Sequence, residues 1–199
     1  SQGSAVREAA LRLLDEDRVD GVVAFTSAVT ADMIRPDFAE RGVPLALANL
    51  GENEQGGGAV QGLTAGAWQA SRALGSWAAA HLGKAVLVAA SLYDSGYDTL
   101  YAFRHGFEDA GGQVADTVVT HLSPQQTRLG ELMSRIKELR PDLVYAQYCG
   151  QAALDFARAF QSAGLAGKIP LVGSAFLATD EVQRSYAAVV EGLISATAD

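Results

Sequence analysis

A single cysteine, Cys149, stands in 199 residues. It excludes an internal disulfide and leaves the redox compartment open. Basic residues are the minority, 15 Lys and Arg against 23 Asp and Glu, and no cluster of them interrupts the excess of acid. The formal charge of −8 excludes nucleic acid and anionic membrane surfaces as partners, because neither phosphate backbones nor acidic lipids attract a net-negative surface. No apolar run reaches the length of about 18 residues that a spanning helix needs, so no direct membrane insertion is expected. The opening stretch SQGSAVREAALRLLDED lacks the basic, then apolar, then small layout of a secretory signal, although a removed signal would leave no trace. No group of His, Cys and carboxylate residues has the spacing of metal ligands, and neither a metal nor another cofactor is expected.

What is present is a globular composition, 49% hydrophobic and 19% charged, long enough for one or two cores. Apolar β-branched runs alternate with segments of helical period, the pattern of parallel sheets covered by helices on both faces. Strands are predicted over Asp20–Phe25, Pro44–Asn49, Ala59–Leu63, Ala85–Ser91, Val114–His121, Leu143–Tyr148, Pro170–Gly173 and Gly192–Thr197. Helices are predicted over Ser4–Glu16, Thr30–Arg41, Gly66–Leu82, Asp98–Ala110, Gln125–Leu139, Gln151–Ala163 and Thr179–Val189. The SPQQ at Ser123–Gln126 offers a Ser cap with Pro at the first helical position, and AGGQ and AGLAG place glycines where helices stop.

The glycine-dense GENEQGGGAVQG, residues 51–62, raises the question of a phosphate loop. A dinucleotide fingerprint needs Gly-x-Gly-x-x-Gly directly between strand and helix, but here Gly56, Gly58 and Gln61 occupy the three places. No Lys-Ser or Lys-Thr follows for a P-loop. The stretch reads as a permissive connection between two sheets. Before it only two strong strands are available, too few for a free-standing lobe, whereas Ala85 to Thr197 holds five. The expected organisation is therefore a remnant of a first α/β lobe over 1–58, a crossover or hinge over 59–65, a second α/β lobe over 66–191 and a return segment over 192–199. The first lobe is expected to be incomplete, with its opening strands upstream.

The ordered segments DEDRVDGVVAF, ERGVPLALANL, GKAVLVAASLYDSGYDTLYAFRHGFEDAGG, IKELRPDLVYAQYCGQAALDFARAFQSAGL, KIPLVGSAFL and VVEGLISATAD resemble the type I periplasmic binding proteins. The likeness runs over nearly the whole chain and is greatest to the solute-binding subunits of branched-chain amino-acid-type ABC importers. It implies two α/β lobes closing over a small solute, further chain downstream, a place in the periplasm or another extracytoplasmic compartment, and docking on the membrane permease subunits of an ABC transporter.

In open parallel sheets the ligand crevice lies beyond the carboxyl ends of the strands. That rule selects the loops FTSAVT, NLGENE, SLYDSGYD, QYCGQ and GSAFLATD. The resemblance implies that the first two hold a ligand carboxylate, through Phe25, Thr26 and Ser27 and through Asn49, Leu50 and Gly51. Ser27 or Thr30 reads equally as a helix cap. On the second lobe the resemblance implies a wall from Tyr93, Ser95, Tyr97, Gln147 and Tyr148, and Tyr suits an apolar body with a polar tip. Trp68 either stacks on a ligand or packs the fold. Amino-acid binders of this family place an acid in the loop that here reads Ser174-Ala175-Phe176, and a buried ammonium without that partner loses about 3–5 kcal/mol. Phe176 suggests an apolar or aromatic wall instead, for an aromatic acid, an amide or another small organic solute.

Two other readings stay open. Cys149 with Gly150 at a strand-to-helix turn resembles the thiol nucleophile of glutamine-amidotransferase-like hydrolases, although His81, His105 and His121 all precede it with no evident cluster. The same two-lobe module also serves as the sensor of regulators and receptors.

Overall fold

Apolar strands and amphipathic helices alternate along the chain in a computed structural model that describes residues 2–49, 58–64, 66–92, 97–121 and 127–196. The elements are α1 (Gln2–Asp15), β1 (Val22–Ala24), α2 (Ala28–Arg41), β2 (Leu45–Asn49), β3 (Val60–Thr64), α3 (Ala67–His81), β4 (Ala85–Ser91), α4 (Asp98–Asp109), β5 (Gln113–Thr120), α5 (Leu129–Leu139), β6 (Leu143–Gln147), α6 (Gly150–Ser162), β7 (Leu171–Gly173), a 3-10 turn (Ala175–Leu177), α7 (Asp180–Ser185), α8 (Ala187–Val190) and β8 (Leu193–Ile194). The described chain falls into two compact units. One runs to Gln69 and takes in residues 97–99; the other holds the rest from Ala70 onward.

Unit 1 is a parallel sheet in the order β1-β2-β3. β3, inside the segment read as a crossover, pairs with β2 from Leu45↔Val60 to Asn49↔Thr64. Hydrogen bonding to β2 makes the strand predicted over Ala59–Leu63 the third of this sheet. Its core gathers Ala10 and Leu14 of α1 with Ala31, Ile34 and Phe38 of α2 over Leu45, Leu47 and Val60. Arg7 of α1 ties to the buried Asp37 of α2 through Nε and Oδ2 at 2.9 Å. α2 ends at Gly42, whose φ of 66° supplies the left-handed cap that a side chain would resist.

Unit 2 is a parallel sheet in the order β5-β4-β6-β7-β8. β4 is buried along nearly its whole length, which explains why Ala85–Ser91 reads as a continuous apolar run and not an alternating one. On one face Leu87, Val144, Tyr148 and Leu171 pack with Leu132 and Ile136 of α5 and Phe156 and Phe160 of α6. Phe103 of α4 stacks on Tyr145 of β6 at 4.0 Å between ring centroids. α3 and α4 cross at Gly75 and Gly106, where a Cβ on Gly106 would lie 2.0 Å from the Arg72 carbonyl oxygen. The return segment contributes β8, which pairs with β7 through Leu171↔Leu193 and Val172↔Ile194.

All eight predicted strands and seven predicted helices are present in order, with shifted ends. α5 begins at Leu129, not Gln125, because Arg128 sits at φ 50° and cannot continue a right-handed helix backward. The Ser123–Gln126 cap lies outside the described residues. His121, expected to end a strand, takes φ 51° and closes β5 one residue early. The helix expected over 179–189 is two helices: Tyr186 still donates its N–H to the Val182 carbonyl at 2.7 Å, but its φ of −139° and ψ of 50° leave the helical region and end α7.

Candidate functional site

In unit 1 the loop after β1 carries Phe25, Thr26 and Ser27. Phe25 is 82% exposed. Ser27 caps α2: its Oγ accepts the Thr30 N–H at 3.3 Å and its hydroxyl donates to Thr30 Oγ1 at 3.0 Å. The capping role that sequence left open is therefore made, and one lone pair of Ser27 Oγ is still available. Within the same unit the Ala28 N–H donates to Asp98 Oδ2 at 3.1 Å, so the first turn of α2 already receives a carboxylate. Burial pushes the Asp98 carboxyl above its usual range, the Ala28 N–H pulls it down, and the nearby Asp32 charge adds to the rise. Asn49 is the last residue of β2, opposite Thr64. Leu50 and Gly51 lie outside the described residues.

In unit 2 the strand ends converge on the carboxyl edge of the sheet. Ser91 closes β4 and is buried, and the next residue, Leu92, is 52% exposed. After β7 come Ser174 and, two residues on, Phe176, which is 53% exposed. Gln147 closes β6, buried, with its Oε1 accepting from the Tyr145 hydroxyl at 3.4 Å. Tyr97 is half-buried just before α4, and Trp68 is half-buried in the first turn of α3. Tyr93 and Ser95 lie outside the described residues.

Tyr148 does not sit on an exposed wall. It has no exposed surface, stacks on Phe156 at 4.6 Å and shares a hydrogen bond with Thr120 Oγ1 at 3.0 Å. Burial raises its phenol above the ordinary value, and the Thr120 bond acts the other way. The physical reason is α6: its Phe156 covers the end of β6 and draws the ring inward. Tyr145, expected to be the packing residue of the pair, is buried as well.

Sequence reading missed a polar cluster at the end of β5. Thr120 Oγ1 lies 2.8 Å from His121 Nδ1, and His121 Nε2 faces Asp155 Oδ2 of α6 at 3.7 Å. Asp155 also pairs with Arg158 and accepts from Gln151 Nε2 at 3.1 Å. The pair Thr120-His121 and the group from Gln151 to Arg158 are too far apart in the chain for spacing to reveal the cluster. It also passed over the Ser174 hydroxyl, whose buried oxygen has no hydrogen-bond partner among the described residues.

Cys149 is exposed and holds the N-cap position of α6, with no side-chain hydrogen bond to the helix. His81 stacks on Trp77 at 4.8 Å, His105 is exposed on α4, and His121 is engaged with Thr120. Among the described residues no three His, Cys, Asp or Glu side chains converge as metal ligands, and no helix is long and apolar enough to cross a membrane.

The profile of the family described as periplasmic binding protein matches residues 1–199. Among solved structures, a solute-binding protein of an ABC transporter from R. palustris in complex with benzoate is 22% identical at a TM-score of 0.66, over 92% of this chain and 51% of that one. A second from the same organism, in complex with 4-hydroxybenzoate, is 22% identical at 0.66, over 96% of this chain and 52% of that one. A leucine binding protein from Thermotoga maritima is 20% identical at 0.63, over 96% of this chain and 54% of that one. At these identities the likeness is one of fold, and the chain spans about half the length of each structure. No curated protein matches the chain.

Proposed function

Because the chain belongs to the periplasmic binding protein family, we propose that the full protein is the solute-binding component of an ABC importer, and that its solute is a small aromatic acid or a close organic relative. One observation carries the choice of solute. At the carboxyl ends of β1, β4 and β7 a hydroxyl residue stands one or two places from a large exposed apolar side chain: Phe25 with Thr26 and Ser27, Ser91 with Leu92, and Ser174 with Phe176. A ligand with an apolar body and polar ends would cover such an apolar group and pair with the hydroxyl beside it. The absence of a carboxylate in Ser174-Ala175-Phe176 weighs against an α-amino acid, whose ammonium would be buried without a counter-charge. The neighbours solved with benzoate and 4-hydroxybenzoate support the same class.

In this reading the loop after β1 takes the carboxylate of the solute through the hydroxyls of Thr26 and Ser27, the Ala28 N–H being engaged by Asp98. Release delivers the solute to permease subunits, and the protein works outside the cytoplasm. The chemistry asked of the residues is capture, with no covalent step, so Cys149 has no part in it. Thermal unfolding of the full-length protein with benzoate, 4-hydroxybenzoate or leucine tests the reading. A ligand at a hundred times its Kd adds about 2.7 kcal/mol of stability. Stabilisation by the aromatic acids and not by leucine is expected; the reverse order refutes the proposed class.

A further inference from the structure

We propose that Asp98 balances the charge of the solute: when the carboxylate of an aromatic acid settles on the loop after β1, Asp98 takes up a proton from solvent. Asp98 thereby sets the affinity for anionic solutes and makes it depend on pH. The inference rests on the function proposed above and adds to it the group that lets a second acid be held where the protein already keeps one.

Asp98 is the first residue of α4, and its half-buried carboxylate reaches the start of α2, where Oδ2 accepts the Ala28 N–H at 3.1 Å. No Lys, Arg or His pairs with it among the described residues. The charge that bears on it from α2, Asp32, has the same sign, and Asp32 in turn accepts from Arg35 Nη2 at 3.1 Å. On α4 itself Tyr101 stands one turn on, and Arg104 is taken by Glu108 at 2.9 Å. A carboxylate in this position has one N–H in its favour, while burial and a like charge work against it. Burial raises the Asp98 carboxyl above its ordinary range, the Ala28 N–H opposes the rise, and Asp32 adds to it. The group is poised to accept a proton.

The position of that carboxylate decides what a bound anion meets. Thr26, Ser27 and Ala28 are consecutive, with Cα atoms about 3.8 Å apart, and all three are partly open to solvent. An acid held by the Thr26 and Ser27 hydroxyls therefore lies beside the Asp98 oxygens that Ala28 holds. Two carboxylates sharing one site do not both keep their charge, and one of them takes a proton. The proton goes to Asp98, whose charge is already disfavoured, while the charge of the solute is met by the two hydroxyls. Oδ2 keeps the Ala28 N–H, and a proton on Oδ1 makes a donor of a group that was only an acceptor, so the like-charge repulsion becomes a hydrogen bond between acid and carboxylate. An amide brings no charge and calls for no proton. The same site therefore separates acid from amide according to pH.

The test is calorimetry of the full-length protein with benzoate and with benzamide, in buffers of different ionisation enthalpy between about pH 6 and 8, where benzoate is itself ionised. It is run on the wild type and on Asp98→Asn, which keeps an acceptor for the Ala28 N–H. The wild type is expected to take up a proton with benzoate and none with benzamide, and its affinity for benzoate is expected to fall by up to about tenfold per pH unit as pH rises. Asp98→Asn is expected to bind benzoate with no proton uptake and no such pH dependence, and about tenfold more tightly than the wild type at about pH 8, with benzamide unchanged. Binding of benzoate by the wild type without proton uptake overturns the inference while the proposed function stands, and this result needs no variant. Proton uptake that persists in Asp98→Asn, or an equal shift in its affinity for both probes, overturns it as well. If the wild type binds no aromatic acid, the proposed function and this inference fail together.

Discussion

The crossing of α3 and α4 makes a prediction that can be worked from distances. Replacing Gly106 with Ala puts a methyl group 2.0 Å from the Arg72 carbonyl oxygen and 2.8 Å from its carbon, and the mirror position, Gly75, faces the Phe103 carbonyl oxygen at 2.1 Å. Both obstacles are backbone. No rotamer change relieves them, so the helices must separate by about an ångström, loosening Phe103 from Tyr145 and Phe107 from its seat in the core. Overpacking of this kind costs about 1–3 kcal/mol, and backbone against backbone puts it at the upper end. The substitution also gains about 1 kcal/mol of intrinsic helix preference. The net expectation is a loss of about 2 kcal/mol, or roughly 4–8 °C in melting temperature for a chain of this size. Gly130 in α5 is the control, since nothing lies within 4 Å of a Cβ there. Gly130→Ala is expected to stabilise by up to about 1 kcal/mol. Urea and thermal unfolding followed by far-UV circular dichroism read both variants. A neutral or stabilising Gly106→Ala, or two variants that shift the same way, would refute the account of the crossing.

Three further outcomes are expected. Arg7, by its hydrogen bond, holds the Asp37 carboxyl below its ordinary range against the opposing effect of burial, and Arg135 does the same for Asp116. A carboxyl depressed in the folded state contributes stability above its unfolded pKa of about 3.9 and loses it as pH falls through the folded value. The melting temperature should therefore fall below about pH 4; the drop should be shallower in Asp37→Asn and Asp116→Asn, and an unchanged acid limb in both would contradict the pairing. Tyr148→Phe keeps the stack on Phe156 and deletes the Thr120 bond, so it should cost about 1 kcal/mol in urea unfolding; lost solute affinity at unchanged stability would instead place Tyr148 at the ligand. Cys149→Ala should change stability by no more than about 0.5 kcal/mol, and the native thiol should react with a disulfide reagent, since it is exposed; a protected thiol would show that the turn before α6 is closed.

Much of this fold is written in short-range pattern. Ala85–Ser91 is a strand buried on both faces, and its sequence is apolar at almost every place for that reason. Asp98 opens α4 where the helix is predicted to begin, and the order of strands and helices follows from alternating periods. Loops at the carboxyl ends of strands were selected by a rule about parallel sheets, and Phe25 and Phe176 do lie exposed in two of them. Local pattern fixes whether a segment is a strand and which of its residues are apolar.

It does not fix which neighbour the strand finds. Val60–Thr64 is as extended as a crossover would be, and only its hydrogen bonds to Leu45–Asn49 make it part of the first sheet. The same limit governs Tyr148: a tyrosine at a strand end turns outward or inward according to what lies above it, and here Phe156 on the next helix and Thr120, 28 residues earlier, hold it in the core. Ser174 looks like any loop serine until the packing of Gly173 against Ala146 and the turn to Leu177 bury its hydroxyl without a partner. Sequence determined the alternation of elements, the burial of the central strands and the loops in which to look. Tertiary structure decided strand partners and the direction of each strand-end side chain, because those depend on contacts between residues tens of positions apart, which no local period encodes.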